Sequence, residues 1–245
     1  MNPLLCFEGV AGGYGQDDIL RGFDLEVAEG TVVCLVGPNG AGKSTALKML
    51  SGLLRPRLGR ILFAGDDIGG LAPGRVLARG IVHVPQERSL FPLMTVWENL
   101  LLGGHSLRDR RVVRRRAEEV MERFPLVRER RGERAGSLSG GQQKLVEIAR
   151  ALMLRPRLVL MDEPTIGLEP KARHVVFETI GRLKEDGHTL LLVEQNARAG
   201  LANSDRGAVL DGGRVALEGT GRELLDDPRM AELYLGGAAA IGRSR

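Results

Sequence analysis

The stretch Val32-Val33-Cys34-Leu35-Val36-Gly37-Pro38-Asn39-Gly40-Ala41-Gly42-Lys43-Ser44-Thr45 decides the fold. Its first five residues are apolar and uninterrupted, which suits a strand buried on both faces. They run straight into Gly37-Pro38-Asn39-Gly40-Ala41-Gly42-Lys43-Ser44, which fits G-x-x-x-x-G-K-[ST]. A helical pattern, Ala46 to Leu54, follows and closes near Gly52. Strand, glycine loop and helix is the order a phosphate-binding unit needs. The glycines let backbone N–H groups wrap phosphates at a helix N-terminus, where the dipole also favours negative charge. In such a unit Lys43 reaches the β- and γ-phosphates and Ser44 offers a hydroxyl to Mg²⁺.

Outward from this unit, Leu4–Val10 and Ile19–Val27 read as strands across a turn-rich Ala11-to-Asp18 segment, giving an N-terminal antiparallel β subdomain. Ile61–Gly65 and Ile81–Gln86 read as short strands, and Arg157–Pro164 and Thr189–Gln195 as further buried ones. Thr95 and Glu98 have the spacing of a capping box, so a helix starts there. An arginine-dense helical stretch runs from about Leu107 to Arg134. Gln142–Leu154 is amphipathic, Lys171–Gly187 is another helix, and Arg206–Gly219 is a hairpin through Asp211-Gly212-Gly213. Strands alternating with helices argue for an α/β core with a mostly parallel sheet. The helical block between about Gln86 and Ser137 reads as inserted between two of its strands, and the last residues as a loose tail.

Composition narrows the class. A 43% hydrophobic content supports a substantial core, and a net charge of +4 is mildly basic without pointing to a partner. No run of about 18 apolar residues spans a bilayer, and the N-terminus lacks a secretory pattern, so a cytoplasmic location is expected. Cys6 and Cys34 are the only cysteines and are expected to be buried, reduced thiols. The four histidines show no metal spacing, so His83 and His188 are read as structural. The arginines of Arg110–Arg116, interleaved with Asp109, Glu118 and Glu119, read as a solvated helix face laced with ion pairs.

Two further motifs complete a site. Leu158-Val159-Leu160-Met161 delivers Asp162 to the end of a strand, where a carboxylate can hold the water shell of Mg²⁺, and Glu163 follows it, placed to orient or deprotonate a water. Leu138-Ser139-Gly140-Gly141-Gln142 opens a helix and presents a second set of donors. One chain already has its phosphate loop, so this second anion site suggests another molecule's ATP.

With these motifs the sequence resembles the ATP-binding cassette family, from about Leu4 to Gly236. The resemblance implies a P-loop nucleoside triphosphatase core (residues 1–86 and 138–236), an inserted helical subdomain at about 87–137, and a flexible tail at 237–245. It implies ATP and Mg²⁺ as cofactors and a head-to-tail dimer with two ATP molecules between the subunits. ATP contacts would come from Tyr14, stacked on adenine, and from Gly37, Pro38, Asn39, Gly40, Ala41, Gly42, Lys43, Ser44 and Thr45. Ser139, Gly140, Gly141 and Gln142 would meet the partner's nucleotide. Ser44, Gln86 and Asp162 would hold Mg²⁺, and Glu163, Gln86 and Gln195 would serve the hydrolytic step. Phe91 to Leu100 would lie near the groove that docks on membrane subunits, with Trp97 read first as a packing residue.

Two positions depart from the family pattern. Gln195 stands where a switch histidine is usual, and glutamine can hydrogen-bond a phosphate but cannot become an imidazolium. Glu169 stands where most cassettes carry an aspartate. The Val193-Glu194-Gln195-Asn196 segment, the Gly167-Leu168-Glu169-Pro170 loop and the close Ala231-to-Gly237 are similar to one subgroup. This is the shorter ATPase of branched-chain amino-acid importers and of related urea and amide systems. That likeness implies two membrane permeases, a second cassette subunit (a paralogue, or else a second copy), and indirectly a periplasmic or extracellular solute-binding protein. The location implied is peripheral, on the cytoplasmic face of the plasma (inner) membrane. A soluble cassette acting on nucleic acid or ribosomes is the alternative. It is disfavoured because the chain holds one cassette and no zinc or coiled-coil arm, so no nucleic acid is expected. Gln195 also raises a non-hydrolysing regulatory subunit, against which the intact loop, Asp162 and Glu163 argue.

Overall fold

The computed structural model describes residues 3–230, 232 and 233. Apart from Glu232 and Leu233, the Ala231-to-Gly237 close and the 237–245 tail lie outside them. In chain order the strands are β1 (Leu5–Gly12), β2 (Leu20–Val27), β3 (Val32–Val36), β4 (Leu58–Phe63), β5 (Asp66–Asp67) and β6 (Ile81–Val84). They continue with β7 (Leu158–Asp162), β8 (Thr189–Val193), β9 (Arg206–Asp211) and β10 (Arg214–Thr220). The helices are α1 (Lys43–Leu50), α2 (Pro73–Ala78), α3 (Val96–Leu102), α4 (Arg110–Arg123) and α5 (Pro125–Glu129). After them come α6 (Gly140–Leu152), α7 (Pro170–Glu185), α8 (Ala197–Ala202) and α9 (Gly221–Asp226).

Two sheets form. One has four strands in the order β2-β1-β4-β5, antiparallel throughout. The other has six in the order β10-β9-β3-β8-β7-β6; its pairings are parallel except β9 with β10. The strands β3, β7 and β8 are buried along their whole length, and their alternation explains why the sequence shows no polar face. Val32, Cys34 and Val36 point into one core, while Val33 and Leu35 point into the other. Val159 and Met161 against Leu158 and Leu160 repeat the pattern in β7. The first core is shared with α3 through α7, the second with α1 and the antiparallel sheet.

Local chemistry sets the helical region. Thr95 and Glu98 make the expected capping box: the Thr95 hydroxyl accepts from the Glu98 N–H at 3.1 Å, and the Glu98 carboxylate accepts from the Thr95 N–H at 2.7 Å. The arginine-dense stretch is not one helix. It breaks at Phe124, whose backbone (φ −121°, ψ 79°) has left the helical region that a following proline disfavours, and Pro125 then starts α5. Its ion pairs lie mostly beyond Arg116: Glu119 meets Arg155 at 2.7 Å and Arg115 at 3.8 Å, Arg123 meets Asp186 at 3.2 Å and Arg130 meets Glu133 at 2.9 Å, while Arg110, Arg111 and Arg114 are exposed. The burial expected of the thiols holds for Cys34, whereas Cys6 is only half-buried on β1. Trp97 packs against the core as its first reading has it. Among the described residues no helix is long and apolar enough to cross a membrane.

Candidate active site

The end of β3 and the start of α1 build the phosphate loop. Two of its glycines are forced. A side chain at Gly37 would put its Cβ 2.2 Å from the Leu210 carbonyl oxygen, and one at Gly42 (φ 110°) would meet Leu20 at 2.8 Å. Gly42 is the residue before α1, and no side chain caps that helix. Its first N–H groups are therefore left without a side-chain partner. Lys43 is 5% exposed and folds over the loop, its ammonium donating to the carbonyls of Gly37 at 2.7 Å and Pro38 at 3.0 Å. Burial lowers the Lys43 pKa, opposed by the carboxylates of Glu163 and Asp162.

Those carboxylates arrive on β7, next but one to β3 in the sheet. Asp162 accepts a hydrogen bond from the Ser44 hydroxyl at 3.4 Å, so a strand end and a helix start converge on one point. Burial raises the Asp162 pKa, and the neighbouring Glu163 charge adds to the rise. Glu163 has a left-handed backbone (φ 45°), a conformation that costs a non-glycine residue about 1–2 kcal/mol. The Glu163 N–H is tied to the Val193 carbonyl at 2.8 Å, which helps hold this turn against the end of β8. Gln86, just past β6, donates from its amide to the Glu163 carboxylate at 3.4 Å. Gln195, just past β8, donates to the Asn39 side chain at 3.3 Å. Four strand ends thus bring Lys43, Ser44, Asp162, Glu163, Gln86 and Gln195 around one loop.

Tyr14 and Ser139 lie at the margins. Tyr14 is 47% exposed, with the Lys48 ammonium over one face at 5.4 Å from its ring centre. Ser139 is exposed and caps α6: its hydroxyl accepts from the Gln142 N–H at 3.4 Å, and the Gln142 side chain accepts from the Ser139 N–H at 3.0 Å. Gly141 is also a packing glycine, since a Cβ there would lie 2.6 Å from Ala172 Cβ of α7.

Two supports are absent from the sequence reading. Glu194 is 2% exposed and accepts from the Thr165 hydroxyl at 2.9 Å, joining β8 to the loop after Glu163; burial pushes its pKa up to about 7, against the pull of that bond. Asn99 is fully buried and clasps Phe91, accepting from its N–H at 2.8 Å and donating to its carbonyl at 3.0 Å. Phe91 thereby stands 54% exposed at the rim of a groove of about 410 Å³, lined also by Pro85, Ser89 and Leu102. An asparagine inside an apolar helix face is the signal that could have found Asn99, whereas a glutamate directly after a strand is ordinary and gives none for Glu194. His83 also faces this groove, and burial lowers its pKa to about 4, which keeps it neutral.

A glycine loop on a buried strand, with an acidic strand end two positions along the sheet, defines a phosphate-loop nucleoside triphosphatase. The particular family follows from comparison. A profile described as "ABC transporter" matches residues 20–166. The branched-chain amino acid transport ATP-binding protein BraG of Pseudomonas aeruginosa is 41% identical over 96% of this chain and 100% of its own. The lipopolysaccharide export system ATP-binding protein LptB of Acidithiobacillus ferridurans is 35% identical over 96% of this chain and 98% of its own. The crystal structure of the ADP conformation of an ATP-binding cassette of an ABC transporter superposes with a TM-score of 0.88 at 32% identity, covering 96% of this chain and 100% of that one. The chain belongs to the ATP-binding cassette family of ABC transporters, and it is an ATP-binding, ATP-hydrolysing transport subunit.

Proposed function

We propose that this ATPase drives an importer for branched-chain or other hydrophobic amino acids. The convergence of Lys43, Ser44, Asp162, Glu163 and Gln86 carries the chemistry. The likeness to BraG, with the Glu194-Gln195-Asn196 and Gly167-to-Pro170 segments, supports the solute class. In this reading Tyr14 stacks on adenine, and Lys43 with the loop N–H groups from Gly37 to Thr45 holds the phosphates. Glu163 takes or aligns the proton of the attacking water, and Gln86 and Gln195 hold that water and the loop in register. Ser44 and Asp162, hard oxygen donors on one point, with Gln86 beside them, would hold Mg²⁺. When bound, that ion offsets the charge on the β- and γ-phosphate oxygens.

Ser139 accepts one hydrogen bond from its helix and keeps its own proton to donate. With the N–H groups of Gly140 and Gly141 it forms a donor set turned toward a partner's ATP, completed by Gln142 as the cap. The partner is a second cassette subunit, a paralogue or another copy, and the groove beside Phe91 receives a loop of one of two permeases. The residues 87–137 move as the helical subdomain, and the assembly sits on the cytoplasmic face of the plasma (inner) membrane, served indirectly by a solute-binding protein.

The likeness to LptB sustains a second reading, export of a lipid-linked solute, and a urea or amide importer is a third. The same site chemistry serves all three. Tagged Glu163→Gln protein, captured from native membranes with ATP, separates them by its partners. Two multi-span permeases, a second cassette and amino-acid uptake by the reconstituted complex are expected. Lipid-export subunits, or nucleic acid with no membrane protein, would overturn the importer.

A further inference from the structure

Residues Pro85 to Ser89 carry Gln86 away from β6, and both ends of this segment are fastened to one helix. At the near end the Lys144 ammonium donates to the Pro85 carbonyl at 3.1 Å. At the far end the Ser89 N–H and hydroxyl both donate to one Glu147 oxygen, at 2.6 and 3.1 Å. The Arg150 guanidinium straddles the same serine, donating to its carbonyl at 2.8 Å and to its hydroxyl. Lys144 and Glu147 also pair with each other at 2.6 Å. All three charged residues lie on α6 at three-residue spacing, so they form one face of the helix that Ser139 begins.

The arrangement is costly for a helix that only needs to pack. Glu147 is 2% exposed and Lys144 8%, and burying full charges gains little stability over apolar residues of similar volume. What the charges do gain is position. Charge-assisted bonds are short and directional, and here each of the three charged residues places at least one on the segment that holds Gln86. Only Gln86, Glu87 and Arg88 lie between the two pins, and all three are exposed. A shift of α6 therefore carries the segment with it.

We propose that Lys144, Glu147 and Arg150 are positioning residues that, through Pro85 and Ser89, set where Gln86 stands against Glu163. Hydrolysis of this chain's own nucleotide is thereby tied to the helix whose first turn meets the partner's nucleotide. The inference rests on the roles proposed above for Gln86 and Ser139. Ser89, Glu147 and Arg150 also line the groove beside Phe91, so an occupant of the groove bears on the same staple.

The test is a double-mutant cycle in the purified full-length protein, reading kcat, KM for ATP, and binding of a fluorescent ATP analogue. Ser89→Ala deletes the hydroxyl and leaves the buried charges in place. A misplacement of about 1 Å can cost about a hundredfold in rate, so this partial loosening is expected to lower kcat about tenfold with analogue binding unchanged. Ser89→Thr, which keeps the hydroxyl, restores it. In a Gln86→Ala background Ser89→Ala costs nothing more, because the staple acts only through Gln86. Arg150→Lys, which keeps the charge and loses the fork, is the second variant and follows the same pattern; melting curves confirm that each variant is folded. An undiminished loss in the Gln86→Ala background, or a folded Ser89→Ala protein with wild-type kcat, overturns the proposal. If Gln86→Ala itself turns over at the wild-type rate, the role given to Gln86 fails first and the inference with it. An additive loss sinks the staple alone.

Discussion

Two helices of this chain begin at the motifs proposed to meet phosphate, and their first turns are finished in opposite ways. α1 follows Gly42 in a left-handed conformation and has no side-chain cap. α6 follows Ser139, which closes a capping box with Gln142. A helix start leaves its first four N–H groups without partners. At α1 no side chain takes those groups, so in the proposed role a bound phosphate would itself be the cap. At α6 one group is satisfied by Ser139, and the outward donors are a hydroxyl proton and the N–H groups of Gly140 and Gly141. Burial follows the same division: Lys43, Asp162 and Glu163 are 5%, 7% and 8% exposed, whereas Ser139 lies in solvent. The α1 end suits retention of a ligand by one chain. The α6 end suits a contact made and broken between chains.

The largest expected effect lies in the buried half. Glu163→Gln keeps size and a hydrogen-bonding atom but loses the base, so turnover is expected to fall by about 10² to 10⁴ with ATP binding kept. Single-turnover hydrolysis beside equilibrium binding checks it, and an unchanged rate would remove Glu163 from its role.

Glu194 gives the next. In the folded chain burial holds its pKa near 7, while in the unfolded chain it has the ordinary value of 4.5. The folded state therefore keeps a proton that the unfolded state releases between those values. This contribution, on the order of 3 kcal/mol, is full below the unfolded pKa and is lost as pH rises through the folded one. Urea midpoints of the native protein are expected to drop across that interval relative to Glu194→Gln, and parallel curves would refute the assignment.

Lys43 tests the comparison from the ligand side. ATP at about 100 times its Kd stabilises a protein that binds it by about 2.7 kcal/mol. Lys43→Ala is expected to lose most of that thermal shift, and Ser139→Ala to keep it. Equal losses would mean that the two helix starts share one ligand in one chain.

The sequence made the buried half easier to read than its supports. Gly37 to Ser44 is constrained residue by residue, because two glycines face atoms closer than a Cβ allows and the lysine and hydroxyl have single chemical uses. The strands were legible for a related reason, since β3 is apolar throughout and β7 and β8 are polar only at one end, at Asp162 and Thr189. The break at Phe124 was missed because arginine and glutamate periodicity continues across it, although Pro125 marks it. Glu147 and Glu194 were missed because a glutamate on a helix or after a strand is ordinary in sequence. Only the tertiary contacts with Ser89 and Thr165 show these two to be buried.

The smallest effect divides the α6 end into its two functions. Ser139→Ala removes the cap and is expected to lower stability by about 1 kcal/mol, read as a modest fall in the melting midpoint. It also removes the outward hydroxyl proton, so turnover falls although nucleotide binding to the single chain does not. Ser139→Asp separates the two. Aspartate caps a helix as well as serine does, and its charge suits the positive helix end, so stability returns. Yet it has no proton to give and sets a negative charge against a phosphate, so turnover does not return. Stability would then follow what residue 139 accepts, and turnover what it donates. A Ser139→Asp protein that hydrolyses ATP at the native rate would reduce this residue to a helix cap and leave Gly140 and Gly141 as the only outward donors.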